Sequence, residues 1–186
     1  NHISSNKLIT KNKNEIEIKD CLFQSNSASC NGGAISAYFS KELYITNCSF
    51  INNTSDQDGV SGAIYISSND QDLSNSPTCL IINCSFKSNS VKNGAYNSHA
   101  IYIEHSNELI AFYQIYDCIF IDNCISNNKC YVIKCIAPTL ELNNSKIIFT
   151  DTSLSCSAVY YSKFNESLLT FISFNRFINC KHDNHS

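Results

Sequence analysis

Residues 48–53 read CSFINN and residues 61–64 read SGAI, and this pair of short segments returns along the chain. Two further copies align with it position for position: CLFQSN at 21–26 with GGAI at 32–35, and CSFKSN at 84–89 with SHAI at 98–101. A pattern that returns at this distance is the signature of a repeat protein in which each copy stacks on the next. The sequence therefore predicts a solenoid.

Three less regular copies complete the series. They are CIFIDN at 118–123 with CYVI at 130–133, FTDT at 149–152 with SAV at 157–159, and FINC at 177–180. The six phenylalanines of these copies lie 27 to 36 residues apart, which suits one coil of a solenoid. Loops rich in Asn, Asp and Ser, such as 67–78, absorb the differences in coil length.

Local patterning predicts short strands. Apolar residues at positions 43, 45, 48 and 50 nearly alternate with polar ones, as in a half-buried strand. A coil of this length holds two or three strands with their turns, but it is too short for a propeller blade. The leucine framework of a leucine-rich repeat is also missing. We therefore expect an all-β parallel β-helix of about six coils, forming one domain over residues 1–186. Because the first residues fall in mid-coil, the chain is interpreted as a segment of a longer solenoid.

Stacked ladders of equivalent residues follow from this fold, since the coils of a parallel β-helix lie about 4.8 Å apart. The aromatic ladder and the isoleucine ladder are expected in the core, and the amide ladder is expected at a turn. The predicted members are Phe23, Phe50, Phe86, Phe120, Phe149 and Phe177; Asn26, Asn53, Asn89 and Asn123; and Ile35, Ile64, Ile101 and Ile133, with Val159 continuing the last series.

Four cysteines, Cys21, Cys48, Cys84 and Cys118, share one repeat position. The coil spacing of about 4.8 Å slightly exceeds the Cβ separation of about 3.5 to 4.5 Å that a disulfide prefers. This favours a ladder of buried free thiols, with a bridged stack as the alternative. The chain has 11 cysteines, an odd number, so at least one thiol is left unpaired.

Composition excludes several functional classes. The net charge is −3 and Arg176 is the sole arginine, which argues against a nucleic-acid partner. The sequence has no apolar run of about 18 residues, so we expect no membrane contact by this segment. The nearest approach to a metal site, Cys124 with Cys130 and Cys135, is explained better by the ladders, and no histidine stands in a catalytic motif. We therefore expect no catalytic residues, no cofactor and no metal.

Inserted loops are the candidate binding elements. They carry Asp56, Asp58, Asp70 and Asp72, which lack the regular spacing of a calcium loop and are interpreted as solvated charges available to a partner. Six triplets would also accept N-linked glycans if a eukaryote secretes the chain. These triplets begin at Asn47, Asn52, Asn53, Asn83, Asn143 and Asn165.

The recurring FxxN segments at 23–26, 50–53, 86–89 and 120–123, paired with GGAI at 32–35 and its variants, resemble the repeats of the chlamydial polymorphic outer membrane proteins. Similar repeats occur in large surface proteins of some protists. The resemblance implies a right-handed, single-stranded parallel β-helix of the pectate-lyase-like superfold. It also implies a non-catalytic adhesin segment at the cell surface or secreted, which binds a host-cell protein or glycan.

Two other functions use the same scaffold. A polysaccharide lyase or hydrolase would need clustered carboxylates beside a basic residue, and Arg176 stands alone at the irregular end of the repeat. A purely structural spacer needs no site at all. Uncapped coil edges would also allow end-to-end association of copies.

Overall fold

The structure, a computed structural model, describes residues 2–3, 8–68, 76–92, 97–105, 111–123, 131–151, 157–162, 171–173 and 175–180. Short strands account for nearly all of the regular structure in these ranges. In chain order they are β1 (His2–Ile3), β2 (Leu8–Lys19), β3 (Leu22–Gln24), β4 (Ser27–Gly32), β5 (Ile35–Thr46), β6 (Ser49–Ile51), β7 (Thr54–Ser61), β8 (Ile64–Ser68), β9 (Thr78–Ile82), β10 (Ser85–Lys87), β11 (Ser90–Val91), β12 (Ser98–His105), β13 (Phe112–Tyr116), β14 (Ile119–Ile121), β15 (Tyr131–Ile136), β16 (Glu141–Asn143), β17 (Lys146–Ile148), β18 (Ser157–Ser162), β19 (Phe171–Ser173) and β20 (Arg176–Ile178).

All strand pairs among the described residues are parallel. One sheet has seven strands in the order β1-β3-β6-β10-β14-β17-β20, so each strand pairs with its equivalent one coil away. The remaining strands pair in the same way, as in β5 with β8, β8 with β12 and β12 with β15. The protein is therefore an all-β parallel β-solenoid with three sheets, as the repeat predicts.

About four turns are complete, running from Phe23 to Ile147, and single strands in register extend the seven-stranded sheet beyond both ends. The repeat count predicted about six coils. The difference arises at the ends, where only part of each coil lies within the described residues. The right-handed winding stays a prediction.

Left-handed backbone turns mark both margins of the seven-stranded sheet. Eleven non-glycine residues in the described part of the chain have φ between 46° and 57°. Most precede the cysteine position (Asp20, Asn47, Asn83, Asp117 and Asn144) or follow the phenylalanine position by two residues (Ser25, Asn52, Ser88, Asp122 and Asn179). Asn and Asp tolerate this conformation better than other non-glycine residues, which explains how a chain with only 5 glycines turns so often.

The small residues of the GGAI half let two coils approach closely. A Cβ atom on Gly62 would lie 2.3 Å from the His99 carbonyl oxygen and 2.5 Å from the Ser90 backbone nitrogen. A Cβ atom on Gly33 would lie 2.2 Å from the carbonyl oxygen of Gly62. Because backbone atoms cannot yield as a flexible side chain does, the space at these two positions admits glycine alone.

Candidate functional site

The asparagine ladder (Asn26, Asn53, Asn89 and Asn123) is confirmed as a buried stack at the turn after the seven-stranded sheet. Along it, the Nδ2 of each residue donates to the Oδ1 of the next at 2.8 to 2.9 Å. The same Oδ1 also accepts the backbone N–H of the ladder asparagine one coil earlier, at 3.0 to 3.1 Å. The ladder thus satisfies backbone N–H groups at the turn. Its amides stabilise the fold and are not available to a ligand.

The phenylalanine ladder fills the core beside it. Phe23, Phe50, Phe86 and Phe120 stack with ring centroids 4.7 to 4.9 Å apart and planes within 9° of parallel. All four are fully buried, so they offer no surface to a ligand. The isoleucine ladder is equally internal at Ile35, Ile64, Ile101 and Ile133, and Val159 continues its register as a half-buried residue.

The prediction that Phe149 belongs to the phenylalanine ladder was wrong. Ile147 pairs with Phe120 on one side and with Phe177 on the other, and Phe149 lies two residues further on, also buried. The left-handed turn at Asn144 sets this register. It places Ser145 at the cysteine position, where its Oγ accepts the Cys118 backbone N–H at 3.1 Å. The register therefore follows the turn and not the phenylalanine.

The cysteine ladder (Cys21, Cys48, Cys84 and Cys118) consists of free thiols. Each Sγ donates to the carbonyl oxygen two residues earlier, at 3.1 to 3.3 Å. The hydrogen bond to Cys118 is the first cause that raises the pKa of the Cys84 thiol to about 12, although a hydrogen bond with Cys48 acts in the opposite direction. Thiols held protonated in this way are poor nucleophiles and poor metal ligands.

Alkaline pH tests a buried thiol directly. Burial raises the pKa of Cys79 well above its ordinary value of 9.0. Above pH 9.0 the unfolded chain releases the thiol proton while the folded chain keeps it. The free energy of unfolding therefore falls as the pH rises. The fall is about 1.4 kcal/mol per pH unit for one thiol. We expect Cys79→Ala to reduce the slope between about pH 9 and 11 by this amount, measured by urea unfolding at each pH.

The register partner of Cys79 provides the control. Leu43 occupies the equivalent position one coil earlier and carries no titratable proton. Leu43→Ala should therefore lower the free energy of unfolding while it leaves the pH slope unchanged. An unchanged slope in Cys79→Ala would contradict the assigned pKa.

A buried polar cluster of Ser68, His105 and Tyr113 contains the groups of a nucleophile and a base. Ser68 Oγ bonds to His105 Nδ1 and lies 2.6 Å from the Tyr113 hydroxyl oxygen. The Tyr113 hydroxyl lies 3.2 Å from the same ring nitrogen. All three residues are fully buried, so a substrate has no path to them, and the cluster pairs polar groups inside the core. Burial also raises the pKa of Tyr113.

The predicted binding loops are only partly described. Asp56 pairs with Lys92 on the next coil, with 3.0 Å between Oδ1 and Nζ and both side chains largely exposed. Such a surface pair contributes about 0 to 1 kcal/mol to stability. The side chain of Asp58, together with Asp70 and Asp72, lies outside the described residues.

A group of tyrosines outside the hydrophobic core, missed in the sequence, extends along the solenoid. We call it the tyrosine stripe (Tyr38, Tyr65, Tyr102, Tyr131 and Tyr160). Tyr65 and Tyr102 are adjacent in register and alternate with inward isoleucines. Their ring centroids lie 5.9 Å apart, and Tyr38 contacts Tyr65 edge-on at 5.7 Å. A sequence signal existed, because the same tyrosine follows Ile64 and Ile101 in two AIYI segments.

Charged groups complete the stripe. Lys134 Nζ lies 5.1 Å from the ring centroid of Tyr102 and 5.8 Å from that of Tyr160, which are cation–π distances. The Tyr65 hydroxyl donates to Glu104 Oε2 at 3.0 Å. Burial raises the pKa of Tyr102 to about 12 and lowers that of Lys134. The stripe thus presents phenol edges, an ammonium and a carboxylate, a combination that suits recognition of a polar partner.

Comparisons with known proteins leave the family open: no family model, no curated protein and no solved structure matches the chain. In the part of the chain that the structure describes, no group of three or more His, Cys, Asp or Glu side chains is placed to hold a metal ion. The same part contains no helix of the length and apolar character needed to cross a membrane.

Proposed function

We propose that this β-solenoid is a non-catalytic, adhesin-like segment of a cell-surface or secreted protein that binds a protein or glycan on a host or neighbouring cell. The tyrosine stripe is the observation that supports it. Its five tyrosines lie outside the hydrophobic core that the ladders fill. Tyr160 is exposed and Tyr38 and Tyr131 are half-buried, whereas Tyr65 and Tyr102 are buried. Tyrosine combines a large apolar body with a polar tip and is enriched in recognition surfaces.

The repeat itself supports the same role. Its resemblance to the polymorphic outer membrane proteins implies a right-handed β-helical adhesin in which each coil adds outer surface without altering the core. A catalytic alternative has less support, because the Ser68, His105 and Tyr113 cluster is sealed in the core and Arg176 is an exposed residue of β20. A lyase would need such groups at an accessible cleft.

Cell binding tests the proposal. The labelled, folded chain would be titrated onto intact epithelial cells while soluble sugar released from the surface is measured in the same wells. We expect saturable binding without sugar release. Tyr160→Ser, which alters an exposed member of the stripe, should weaken binding about tenfold or more, as loss of a central aromatic contact does.

Phe112→Ser is the matched control, since Phe112 is exposed to a similar degree, 45% against 38% for Tyr160, and lies on β13. This variant should bind as the unaltered chain does. Equal weakening by both substitutions would remove the stripe from the proposal. Absence of binding would favour the structural spacer, and released sugar would favour the enzyme.

A further inference from the structure

Two consecutive asparagines occupy opposite environments at one turn. Asn52 opens the triplet Asn52-Asn53-Thr54, and Asn53 opens Asn53-Thr54-Ser55, so each is an acceptor triplet for N-linked glycosylation. Asn52 is exposed and has a φ of 52°, whereas Asn53 is fully buried. The fold therefore distinguishes two sites that the sequence presents side by side.

The amide of Asn53 is fully used by the asparagine ladder. Its Nδ2 donates to the Phe23 carbonyl oxygen at 3.0 Å and to Asn89 Oδ1 at 2.9 Å. Its Oδ1 accepts from the backbone N–H and the side chain of Asn26. A sugar on Nδ2 would replace one of these hydrogens and would have to fit inside the solenoid. The folded chain therefore excludes a glycan at Asn53.

The amide of Asn52 is available. Its backbone N–H donates to the Lys87 carbonyl oxygen at 3.0 Å, which holds the turn in place. Its side chain is exposed and makes no hydrogen bond within the described residues. A glycan here would lie at the margin of the seven-stranded sheet without breaking a contact.

The other acceptor triplets that the structure describes are less favourable. Asn47 Nδ2 donates to Asp20 Oδ1 at 2.6 Å, and Asn83 Nδ2 donates to Asn47 Oδ1 at 2.7 Å, so both amides already hold an outer row between coils. Asn143 is half-buried on β16, and Asn165 lies outside the described residues. Among the triplets in the described part of the chain, Asn52 is the one in which exposure, a turn and an uncommitted amide coincide.

We propose that Asn52 carries an N-linked glycan and that Asn53 does not. The transfer forms a bond between Asn52 Nδ2 and the anomeric carbon of a lipid-linked oligosaccharide, releases the lipid pyrophosphate, and removes one proton from Nδ2. The proposal rests on the surface or secreted location given above, in a cell whose secretory pathway supplies this donor. A glycan on Asn52 would cover this margin of the solenoid, so the proposed binding surface lies elsewhere on it.

Glycopeptide mapping tests the proposal. The full chain would be expressed behind a secretory signal in eukaryotic cells, and sites would be read by mass spectrometry after enzymatic deglycosylation, which converts the modified Asn to Asp. We expect modification of Asn52 and an unmodified Asn53. Asn52→Gly, which suits the positive φ and keeps the Asn53 triplet, should remove this glycan while leaving Asn53 bare.

A secreted chain with Asn52 unmodified, or with Asn53 modified, would overturn the proposal. If secretion fails, the membrane fraction is mapped by the same criterion, because transfer precedes export. Cell binding is measured separately, before and after deglycosylation. A bare Asn52 with normal binding refutes the glycan alone, whereas a glycosylated chain without binding refutes the adhesin alone.

Discussion

Replacing Asn89 by alanine is expected to lower the free energy of unfolding by about 4 kcal/mol, because a central member of a buried hydrogen-bonded stack is lost. Asn89 donates to the Phe50 carbonyl oxygen at 2.9 Å and to Asn123 Oδ1 at 2.8 Å. It accepts from the backbone and the side chain of Asn53 at 3.0 and 2.9 Å. Each buried polar group left without a partner costs about 1 to 3 kcal/mol.

Urea unfolding of unglycosylated protein measures this effect, with Asn52→Gly as the control. Asn52 has the same side chain at the neighbouring coil's turn, but it is exposed and has a positive φ that glycine adopts freely. Its replacement should change the free energy of unfolding by no more than about 0.5 kcal/mol. Similar losses in the two variants would show that the asparagine ladder does not stabilise the fold.

The asparagine ladder could be predicted because a single residue type recurs at one position of a repeat. A parallel solenoid places equivalent positions above one another, so identity in sequence becomes contact in space. The repeat position alone is therefore enough to predict the buried stack of Asn26, Asn53, Asn89 and Asn123. The same reasoning places Ile35 above Ile64 and Ile64 above Ile101.

The register of the strands was harder to predict where the repeat is degenerate. In the fifth copy the only phenylalanine is Phe149, yet the position belongs to Ile147. Ile147 and Phe149 are both buried apolar residues, so side-chain polarity cannot separate them. The Asn-Ser pair at 144–145 carries the information, because Asn144 takes the left-handed turn and Ser145 substitutes for cysteine.

The tyrosine stripe and the buried polar cluster depend on longer-range geometry. Ser68 and His105 are partners across coils, and Tyr113 joins them from another strand. No local pattern relates these three residues, since each insertion changes their separation in sequence. Tyr65 and Tyr102 are a different case, because their recurrence is visible in the sequence. They were missed because the ladder argument considers only the side of the strand that faces the core.

Replacing Phe86 by alanine is expected to cost about 4 kcal/mol, because a fully buried ring is lost from the middle of the aromatic stack. Its ring lies between Phe50 at 4.8 Å and Phe120 at 4.7 Å, so the substitution also removes two stacked pairs. Each pair contributes about 0.5 to 1.5 kcal/mol beyond the area it buries. Phe86→Ile should cost less, since Ile147 already occupies this register position one coil beyond Phe120.

Phe177 is the matched control for Phe86, because it occupies the same register position beyond Ile147 but is 44% exposed. Phe177→Ala leaves no enclosed cavity, and we expect it to cost about 1 kcal/mol or less. Chemical unfolding followed by circular dichroism gives both values under one set of conditions. The order Phe86→Ala, Phe86→Ile, Phe177→Ala in decreasing cost is the expected result. Equal costs at positions 86 and 177 would mean that the stack contributes no more in the core than at its exposed end.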